Sequence, residues 1–184
     1  MQTKRYILTG APGSGKTAVL RQLEMDGFSV IEEAATDLIA LRQAEGIAEP
    51  WTEPAFVEDV ADLQRRRLNW ASQAGSAVQF HDRAIFCTLA LARYLAVPRA
   101  DMLLHEAERM CREGLFQSRV FFIRNLGFIE PTAARRITFE ETLRFERIHE
   151  EAYREWGFDL INVDPAPLAE RIRTIRSRID SCDH

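Results

Sequence analysis

Apolar positions along this chain follow two different periods. Five short apolar runs predict β-strands, and they occupy residues 6–8, 28–31, 78–81, 120–123 and 158–163. Between them lie longer segments in which apolar residues recur at the spacing of a helix with one buried face. Strands that alternate with helices form a parallel sheet covered by helices. We therefore predict an α/β fold in a single domain over residues 1–184, with a five-stranded parallel sheet between two helical layers.

Local signals set the limits of the last two helices. Thr138 and Glu141 form a T-x-x-E capping box that opens a long helix, and Gly157 is predicted to end it. Asp164 as N-cap and Pro165 at the first helical position are predicted to begin the final helix. The apolar face of that helix consists of Leu168, Ile172, Ile175 and Ile179.

The composition is that of an ordinary globular protein. Of the 184 residues, 46% are hydrophobic and 28% are charged, which excludes the disordered and fibrous classes. The arginine-rich stretches 63–70 and 170–178 are interpreted as solvent-exposed helix surfaces. No apolar run reaches the roughly 18 residues of a membrane-spanning helix, and the N-terminus has no signal-peptide pattern. We expect a cytoplasmic protein that does not bind a membrane.

Cysteines, histidines and net charge exclude further classes. Cys87, Cys111 and Cys182 show no C-x-x-C spacing, so we expect neither a disulfide framework nor a zinc site. The sequence "HEEAY", which begins at His149, lacks the second histidine of the H-E-x-x-H metal motif. The net charge of −4 gives no reason to expect a nucleic-acid partner.

A glycine-rich loop follows the first predicted strand and precedes the first predicted helix. Its sequence fits the pattern G-x-x-x-x-G-K-[ST], which in this context indicates a nucleotide site. The glycines let several backbone N–H groups point into one concavity, and the helix N-terminus adds its positive dipole. The residues predicted to contact the nucleotide are Gly10, Ala11, Pro12, Gly13, Ser14, Gly15, Lys16, Thr17 and Ala18.

Two residues of this loop carry specific expectations. Lys16 is predicted to bind the β- and γ-phosphates, and the Thr17 hydroxyl to bind Mg²⁺. The only lysines of the chain are Lys4 and Lys16, while its other basic residues are arginine. A lysine retained inside the loop suggests that its compact ammonium is needed there. We therefore expect ATP and Mg²⁺ as cofactors.

Several classes of phosphate-loop protein lack their marker motifs here. GTPases recognise guanine through N/T-K-x-D, but neither lysine has an aspartate two residues later, and no D-x-x-G switch occurs. The L-S-G-G-Q signature of transporter ATPases is also missing. One helix is predicted after the fifth strand, so we expect no helical lid domain of the kind that ring-forming AAA+ motors carry. A small phosphotransferase core is the interpretation that remains.

Polar residues at the carboxyl ends of the second and third strands are candidates for the acceptor side. Asp82 could hold a water of Mg²⁺ or accept a proton from an attacking hydroxyl, and Arg83 could bind the acceptor. Alternatively, Asp82 caps the next helix and Arg83 forms a surface ion pair. Either Glu32 or Glu33 could be a base or bind the acceptor, or both could complement a helix dipole. We interpret the neighbouring His81 as structural.

Two arginines precede the capping box. Arg135 and Arg136 lie where a closing lid would bring guanidinium groups to the transferring phosphate. The alternative is a solvated pair at a helix start. Cations are disfavoured beside the positive end of a helix dipole, so this alternative has an electrostatic cost.

Four segments together resemble a family of small stand-alone P-loop proteins. They are "TGAPGSGKTAVL", "VIEEAATDLI", "FHDRAIFCTLA" and the block over residues 120–163. The family is that of the AAA-domain ATPases, or predicted kinases, related to the ribosylnicotinamide kinase domain. The likeness spans nearly the whole chain. Its most specific part is the last block, in which E-P-x-x-x-R, a long helix, A-Y-x-x-x-G and a strand follow in order.

The resemblance implies a fold like that of the nucleoside-monophosphate kinases, with ATP and Mg²⁺ at the phosphate loop. It also implies a lid loop at about residues 125–137, from which Arg135 or Arg136 acts on the transferring phosphate. The adenine would lie near residues 162–165, so that Pro165 contacts it.

On the acceptor side the resemblance equates Glu33 with the acidic position after the second strand, and Asp82–Arg83 with an Asp-Arg pair. The sequence departs from the family at two nearby positions. Thr36 stands where relatives often have arginine, and Cys87 where they often have aspartate. Both departures fall on the acceptor side, which suggests a different acceptor or a weak transfer activity.

These observations predict an ATP- and Mg²⁺-dependent kinase for a small metabolite, such as a nucleoside- or sugar-like alcohol. Its catalytic residues would be Lys16, Asp82, Arg135 and Arg136, its metal ligands Thr17 and Asp82, and its substrate-binding residues Glu33 and Arg83. The partner would be an unidentified small-molecule acceptor. An ATPase or nucleotide-responsive switch that acts through a protein partner, or a nucleotide-binding module with little turnover, remains the alternative.

Overall fold

The structure is a computed structural model that describes residues 3–97, 100–126 and 139–180. Five strands form one parallel sheet in the order β2-β3-β1-β4-β5. Their bounds are Lys4–Thr9 (β1), Ser29–Ile31 (β2), Val78–Asp82 (β3), Arg119–Ile123 (β4) and Asp159–Val163 (β5). The predicted five-stranded parallel sheet is therefore confirmed, and every predicted strand lies within two residues of an observed one.

Helices connect the strands, and the described residues contain seven α-helices and one short 3₁₀ turn. The helices are Lys16–Met25 (α1), Ala34–Ala44 (α2), Phe56–Gln73 (α3), Ile85–Tyr94 (α4), Asp101–Arg112 (α5), Phe139–Glu155 (α6) and Leu168–Asp180 (α7), and the 3₁₀ turn is Pro50–Thr52. No helix within the described ranges combines the length and the hydropathy needed to cross a bilayer.

Alternating side chains of the sheet face two separate cores. Tyr6 and Leu8 of β1 pack with apolar residues of α1 and α7, whereas Ile7 packs with those of α2, α3, α4 and α5. Successive side chains of a strand point to opposite faces, so each face of the sheet requires its own helical cover. The three-layer prediction is thus confirmed, with α1 and α7 forming one outer layer.

The start of the last helix differs from the prediction. α7 begins at Leu168, three residues after the predicted first position, Pro165. A second proline, Pro167, explains the shift, because a proline disfavours the helical conformation of the residue before it. The carbonyl of Pro167 instead accepts hydrogen bonds from the N–H groups of Glu170 (2.9 Å) and Arg171 (3.2 Å).

The topology places the candidate residues of the loop and of the β2 and β3 ends at one edge of the sheet. β1 lies between β3 and β4, and the connection after β1 leads past β3 to β2, whereas the connection after β3 leads past β1 to β4 on the opposite side. In open parallel sheets, ligands bind at the carboxyl ends of the strands where the connections diverge in this way. The glycine-rich loop follows β1, Glu33 follows β2, and Asp82 ends β3.

Candidate functional site

The loop between β1 and α1 requires its glycines. Gly10, Gly13 and Gly15 have φ angles of +149°, +85° and +73°, which L-residues with a side chain rarely adopt. A Cβ on Gly10 would lie 2.3 Å from the carbonyl oxygen of Ile123. Gly15 is the N-cap of α1, and no side chain caps the first turn of this helix. The N–H groups of that turn are therefore available to an anion.

Lys16 lies between two carboxylates that come from the ends of neighbouring strands. Its buried ammonium forms an ion pair with Asp82 Oδ1 and lies 3.8 Å from Glu33 Oε2. The structure thus brings together the first residue of α1, the residue that precedes α2 and the last residue of β3. Three residues far apart in the sequence form one charged cluster beside the loop.

Arg83 connects this cluster to the loop. Its guanidinium Nη2 donates a hydrogen bond to the Gly10 carbonyl (2.9 Å), and its Nε lies 2.6 Å from Glu33 Oε1. Its φ of +70° is unusual for a residue with a side chain, and its N–H donates to the Leu8 carbonyl (2.9 Å). Unusual backbone conformations of this kind are concentrated at functional sites.

His149 of α6 contacts the remaining nitrogen of the Arg83 guanidinium, Nη1. Nη1 of Arg83 lies 3.2 Å from His149 Nε2, and His149 Nδ1 lies 2.9 Å from the Phe145 carbonyl oxygen. A carbonyl can only accept, so Nδ1 carries the proton and Nε2 accepts from Arg83. Burial and the positive charge of Arg83 lower the pKa of His149 to about 3.

His149 is a site residue that the sequence reasoning missed. The sequence around His149 lacks the second histidine of a metal motif, and that pattern alone assigns His149 no role. A usable signal was the spacing of His149, four residues after Phe145 and three before Ala152, because residues spaced in this way share one face of a helix. A histidine on a buried helix face needs partners for both ring nitrogens, and here the partners are a backbone carbonyl and Arg83.

The two carboxylates beside Lys16 have opposite electrostatic environments. Burial opposes the ionisation of Glu33, but the positive charges of Arg83 and Lys16 outweigh it and lower the pKa of Glu33 to about 2. Burial raises the pKa of Asp82 above its ordinary value, and the negative charge of Glu33 adds to this effect despite the attraction of Lys16. Glu33 is therefore a firmly ionised group, whereas Asp82 binds a proton more readily.

The two positions that depart from the resembling family have defined partners. Thr36 donates a hydrogen bond to Glu33 Oε2 (3.0 Å) and so helps to orient that carboxylate. Cys87 Sγ lies 2.8 Å from the hydroxyl of the fully buried Tyr153 and 3.3 Å from Thr9 Oγ1. Cys87 therefore belongs to an uncharged network that ties the end of β1 to α4 and α6.

Glu32 does not join the Lys16 cluster. Its exposed carboxylate forms an ion pair with Arg21, and its carbonyl accepts a hydrogen bond from Arg67 (2.8 Å). Of the two glutamates that follow β2, only Glu33 contacts the cluster. His81 is buried with its ring edge-on to Phe116 at 5.0 Å, as expected for a structural residue, and burial followed by the charge of Arg5 lowers its pKa to about 3.

Oxygen donors suited to Mg²⁺ lie on the loop and beside it. Thr17 is exposed at the start of α1, and the Asp82 carboxylate contacts the adjacent Lys16. Within the described ranges, no group of three or more histidine, cysteine or acidic side chains could hold a metal ion by itself. Mg²⁺ commonly uses one or two protein oxygens together with nucleotide phosphates and water, so Thr17 and Asp82 fit that mode.

Two further predictions cannot be placed in the cluster. Arg135 and Arg136, with most of the predicted lid loop, lie outside the described residues. Pro165 is exposed in the connection between β5 and α7.

The interpretation of residues 170–178 as a solvent-exposed surface is wrong at one residue. Arg171 is only 4% exposed, and its Nη2 donates a hydrogen bond to the Ser14 carbonyl (2.6 Å). It precedes Ile172 on α7 and lies four positions before Ile175, so it shares the buried side of that helix. The neighbouring Arg173 and Arg176 are exposed, as predicted.

Comparisons with known proteins agree with this architecture. A family model described as an AAA domain matches residues 5–171. The structure of deoxyadenosine kinase from M. mycoides with products dCMP and dCDP aligns with a TM-score of 0.65 at 15% identity, covering 96% of this chain and 99% of that chain. The same enzyme with bound dATP gives a TM-score of 0.66 at 13% identity, with the same coverage of both chains.

A second relative is larger. NadR protein, solved in complex with NAD and AMP-PNP, aligns with a TM-score of 0.68 at 14% identity, covering 96% of this chain and 49% of that chain. The present chain therefore spans about half of NadR. A comparison with curated protein sequences finds no match. The structural likenesses establish the fold, which is that of nucleotide kinases with a phosphate loop.

Proposed function

We propose that this chain, which belongs to the AAA-domain family and has a kinase-like P-loop fold, transfers the γ-phosphoryl group of ATP to a small-molecule alcohol. The acceptor class would be a nucleoside- or sugar-like metabolite. The observation that carries the proposal is the cluster of Glu33, Asp82 and Arg83 beside Lys16. A protein that only binds and hydrolyses a nucleotide also uses an acidic residue for Mg²⁺, but the Glu33–Arg83 pair would supply additional polar groups for an acceptor next to the phosphates.

The nucleotide side of the proposal rests on the phosphate loop. The uncapped N–H groups of α1 and the Lys16 ammonium would bind the β- and γ-phosphates. Thr17 and Asp82 would hold Mg²⁺, which would neutralise charge on the phosphates when bound. Pro165 would border the adenine, and Arg135 or Arg136 would stabilise the transferring group.

The acceptor side follows from the different charge states of the two carboxylates. Asp82, whose pKa is raised by burial, would either hold the Mg²⁺ water or accept the proton of the attacking hydroxyl. Glu33, held ionised by Arg83 and Lys16, would accept a hydrogen bond from the acceptor and orient it. Arg83 would keep Glu33 in place, since its guanidinium already contacts the Gly10 carbonyl and His149.

The acceptor would enter beside Asp82 and Arg83. A narrow cleft lined by Gln64, Arg67 and Phe116 reaches these residues. Its volume of about 10 Å³ holds roughly one water molecule. An acceptor therefore has to displace side chains of α3 to bind, and we expect binding to alter the environment of Trp70, which lies on the same helix.

A screen for acceptor-dependent ADP release tests the proposal. Purified protein with ATP and Mg²⁺ is assayed alone and with a panel of nucleosides, vitamins, sugars and amino acids. Lys16→Ala serves as the blank, and ADP binding by each variant is measured separately. We expect one acceptor class to raise ADP release sharply, and Asp82→Asn to abolish this increase while it retains ADP binding.

Other outcomes decide against the proposal. Slow ADP release that no acceptor increases, and that Lys16→Ala abolishes, would identify water as the acceptor and support an ATPase that acts through a protein partner. If Asp82→Asn transferred phosphate as fast as the wild type, the role assigned to Asp82 would be wrong.

A further inference from the structure

Arg171 is a buried cation without a carboxylate partner among the described residues. Its Nη2 bonds to the Ser14 carbonyl, and its Nε is buried without a hydrogen-bond partner among them. Other guanidinium groups of the same region, such as those of Arg83 and Arg124, are paired with glutamates. Burial lowers the pKa of Arg171. A buried charge of this kind is unfavourable unless something compensates it.

The position of Arg171 indicates what compensates it. Its Nη1 would lie 2.9 Å from a Cβ on Gly15, so the guanidinium rests directly against the residue that caps α1. A Cβ on Gly15 would also lie 3.5 Å from Cδ1 of Leu126, a residue that comes after β4 in the chain. Arg171 thus reaches the loop from the side of α7, whereas Lys16 and its carboxylates occupy the side of β2 and β3.

We propose that Arg171 binds the α- and β-phosphates of the nucleotide as a second cation of the phosphate loop. The inference deepens the proposed function and rests on its nucleotide site. In phosphate loops the backbone at the helix start surrounds the α- and β-phosphates, while the lysine reaches the β- and γ-phosphates. A guanidinium that rests against Gly15 would therefore lie beside the α- and β-phosphates, of which the lysine does not reach the α-phosphate. The Nε of Arg171, which has no hydrogen-bond partner among the described residues, leaves the guanidinium a further N–H to donate.

A purely structural role is the competing explanation, because Arg171 could simply hold the Ser14 carbonyl. Two substitutions separate the roles. Arg171→Gln keeps an N–H donor for that carbonyl and removes the charge. Arg171→Lys keeps the charge and loses the planar fork. Arg173→Gln is the matched control, since it removes an exposed arginine two residues further along α7.

Equilibrium binding of ADP and of adenosine to the full chain, measured by calorimetry, provides the test. We expect Arg171→Gln to weaken ADP binding by about ten- to a hundredfold, the usual contribution of a hydrogen bond to a charged group. Adenosine affinity should not change, Arg173→Gln should behave as the wild type, and Arg171→Lys should retain more ADP affinity than Arg171→Gln. The melting temperature of the nucleotide-free Arg171→Gln variant should equal or exceed that of the wild type, because an uncompensated buried charge is removed.

Three results would overturn the inference. They are wild-type ADP affinity in Arg171→Gln, equal losses of ADP and adenosine affinity, and equal losses in the glutamine and lysine variants. If Arg171→Gln does not fold, Arg171→Lys decides: ADP affinity reduced with adenosine affinity retained supports a phosphate contact, and equal losses of ADP and adenosine affinity oppose it. These measurements need neither an acceptor nor turnover, so the acceptor screen and this test can fail independently.

Discussion

Two buried arginines contact the phosphate loop from opposite sides. Arg83, at the carboxyl end of β3, donates to the Gly10 carbonyl at the start of the loop. Arg171, on α7, donates to the Ser14 carbonyl near its end. The essential difference is the counter-charge, because Arg83 has the Glu33 carboxylate 2.6 Å away and Arg171 has no carboxylate partner in the described residues.

The difference in counter-charge suits Arg83 to fixing the geometry of the site and Arg171 to binding a ligand. Burial disfavours the charge of Arg83, but Glu33 reverses this effect and raises its pKa, so the pair is complete within the protein. No carboxylate among the described residues reverses the effect of burial on Arg171, and its pKa is lowered. A complete pair can fix geometry, whereas an incomplete one leaves a charge available to a ligand.

Removal of the paired arginine is expected to cost more stability than removal of the unpaired one. Arg83→Met leaves Glu33 and Lys16 with an altered charge balance and deprives His149 Nε2 of its donor. Loss of one partner from a buried ion pair is strongly unfavourable, so we expect the free energy of unfolding to fall by about 3 kcal/mol. Urea unfolding monitored by circular dichroism measures the change.

The matched substitution on the other side is Arg171→Met. It removes a buried charge that has no carboxylate partner, and we expect it to change the free energy of unfolding by less than about 1 kcal/mol. Equal destabilisation by the two substitutions would contradict the distinction between a complete and an incomplete pair.

A second comparison uses the glycines at the two ends of the loop. Gly10→Ala forces a Cβ against the backbone carbonyl of Ile123 at a positive φ, and we expect a loss of about 2–4 kcal/mol. In Gly15→Ala the Cβ meets only the end of the Arg171 side chain, so the φ of +73° dominates, at about 1 kcal/mol. Thermal unfolding of both variants checks the order, and a costlier Gly15→Ala would show that Arg171 cannot move.

The buried histidines predict a loss of stability in acid. His81 and His149 stay neutral in the folded protein down to about pH 3, whereas they bind protons near pH 6.5 when unfolded. The unfolded state then holds more protons, so the free energy of unfolding falls as the pH decreases from 6.5 toward 3. The expected slope is about 1.4 kcal/mol per pH unit for each histidine.

Glu33 contributes to the same trend at lower pH. Its folded pKa of about 2 lies below its ordinary value of 4.5, so its contribution to stability is lost as the pH falls from 4.5 to 2. Urea unfolding at several pH values measures the combined slope. His149→Gln should remove about half of the slope of the free energy of unfolding against pH in the range above pH 4.5. An unchanged slope would show that His149 is not buried as a neutral group.

The smallest effect is expected at an exposed arginine near the same edge. Arg21 forms ion pairs with Glu24 and Glu32, and all three side chains are about half exposed. Exposed pairs of this kind contribute little, because water and salt screen them. Arg21→Gln should leave the urea midpoint unchanged within error. A shift as large as that of Arg83→Met would mean that pairing matters more than burial.

The sheet and the loop were predictable because both have local signatures. The five strands are short apolar runs, and the loop is a contiguous motif whose glycines are required by its own backbone angles. Position at the end of a strand was enough to select Asp82, Arg83 and the pair Glu32–Glu33, since parallel strands share one carboxyl edge. These predictions needed no knowledge of side-chain packing.

His149 and Arg171 could not be selected in the same way. Each role depends on the rotation of a helix about its own axis, which decides whether a polar residue beside an apolar face turns inward. For residues 170–178, a set of four arginines gave no sign that one of them is buried. The choice between Glu32 and Glu33 also depended on tertiary contacts, namely those of Arg21 and Arg83.

The position of Lys16 has a consequence for affinity. Its ammonium forms ion pairs with Asp82 and Glu33 within the protein. A phosphate that binds there enters an exchange reaction, in which it competes with two carboxylates for one cation. The free energy of binding is then the difference between two ion pairs rather than the full strength of one. Such competition favours ligands with several adjacent negative charges over a single carboxylate or sulfate, and selectivity for polyphosphates can follow from the acidic neighbours as well as from the lysine.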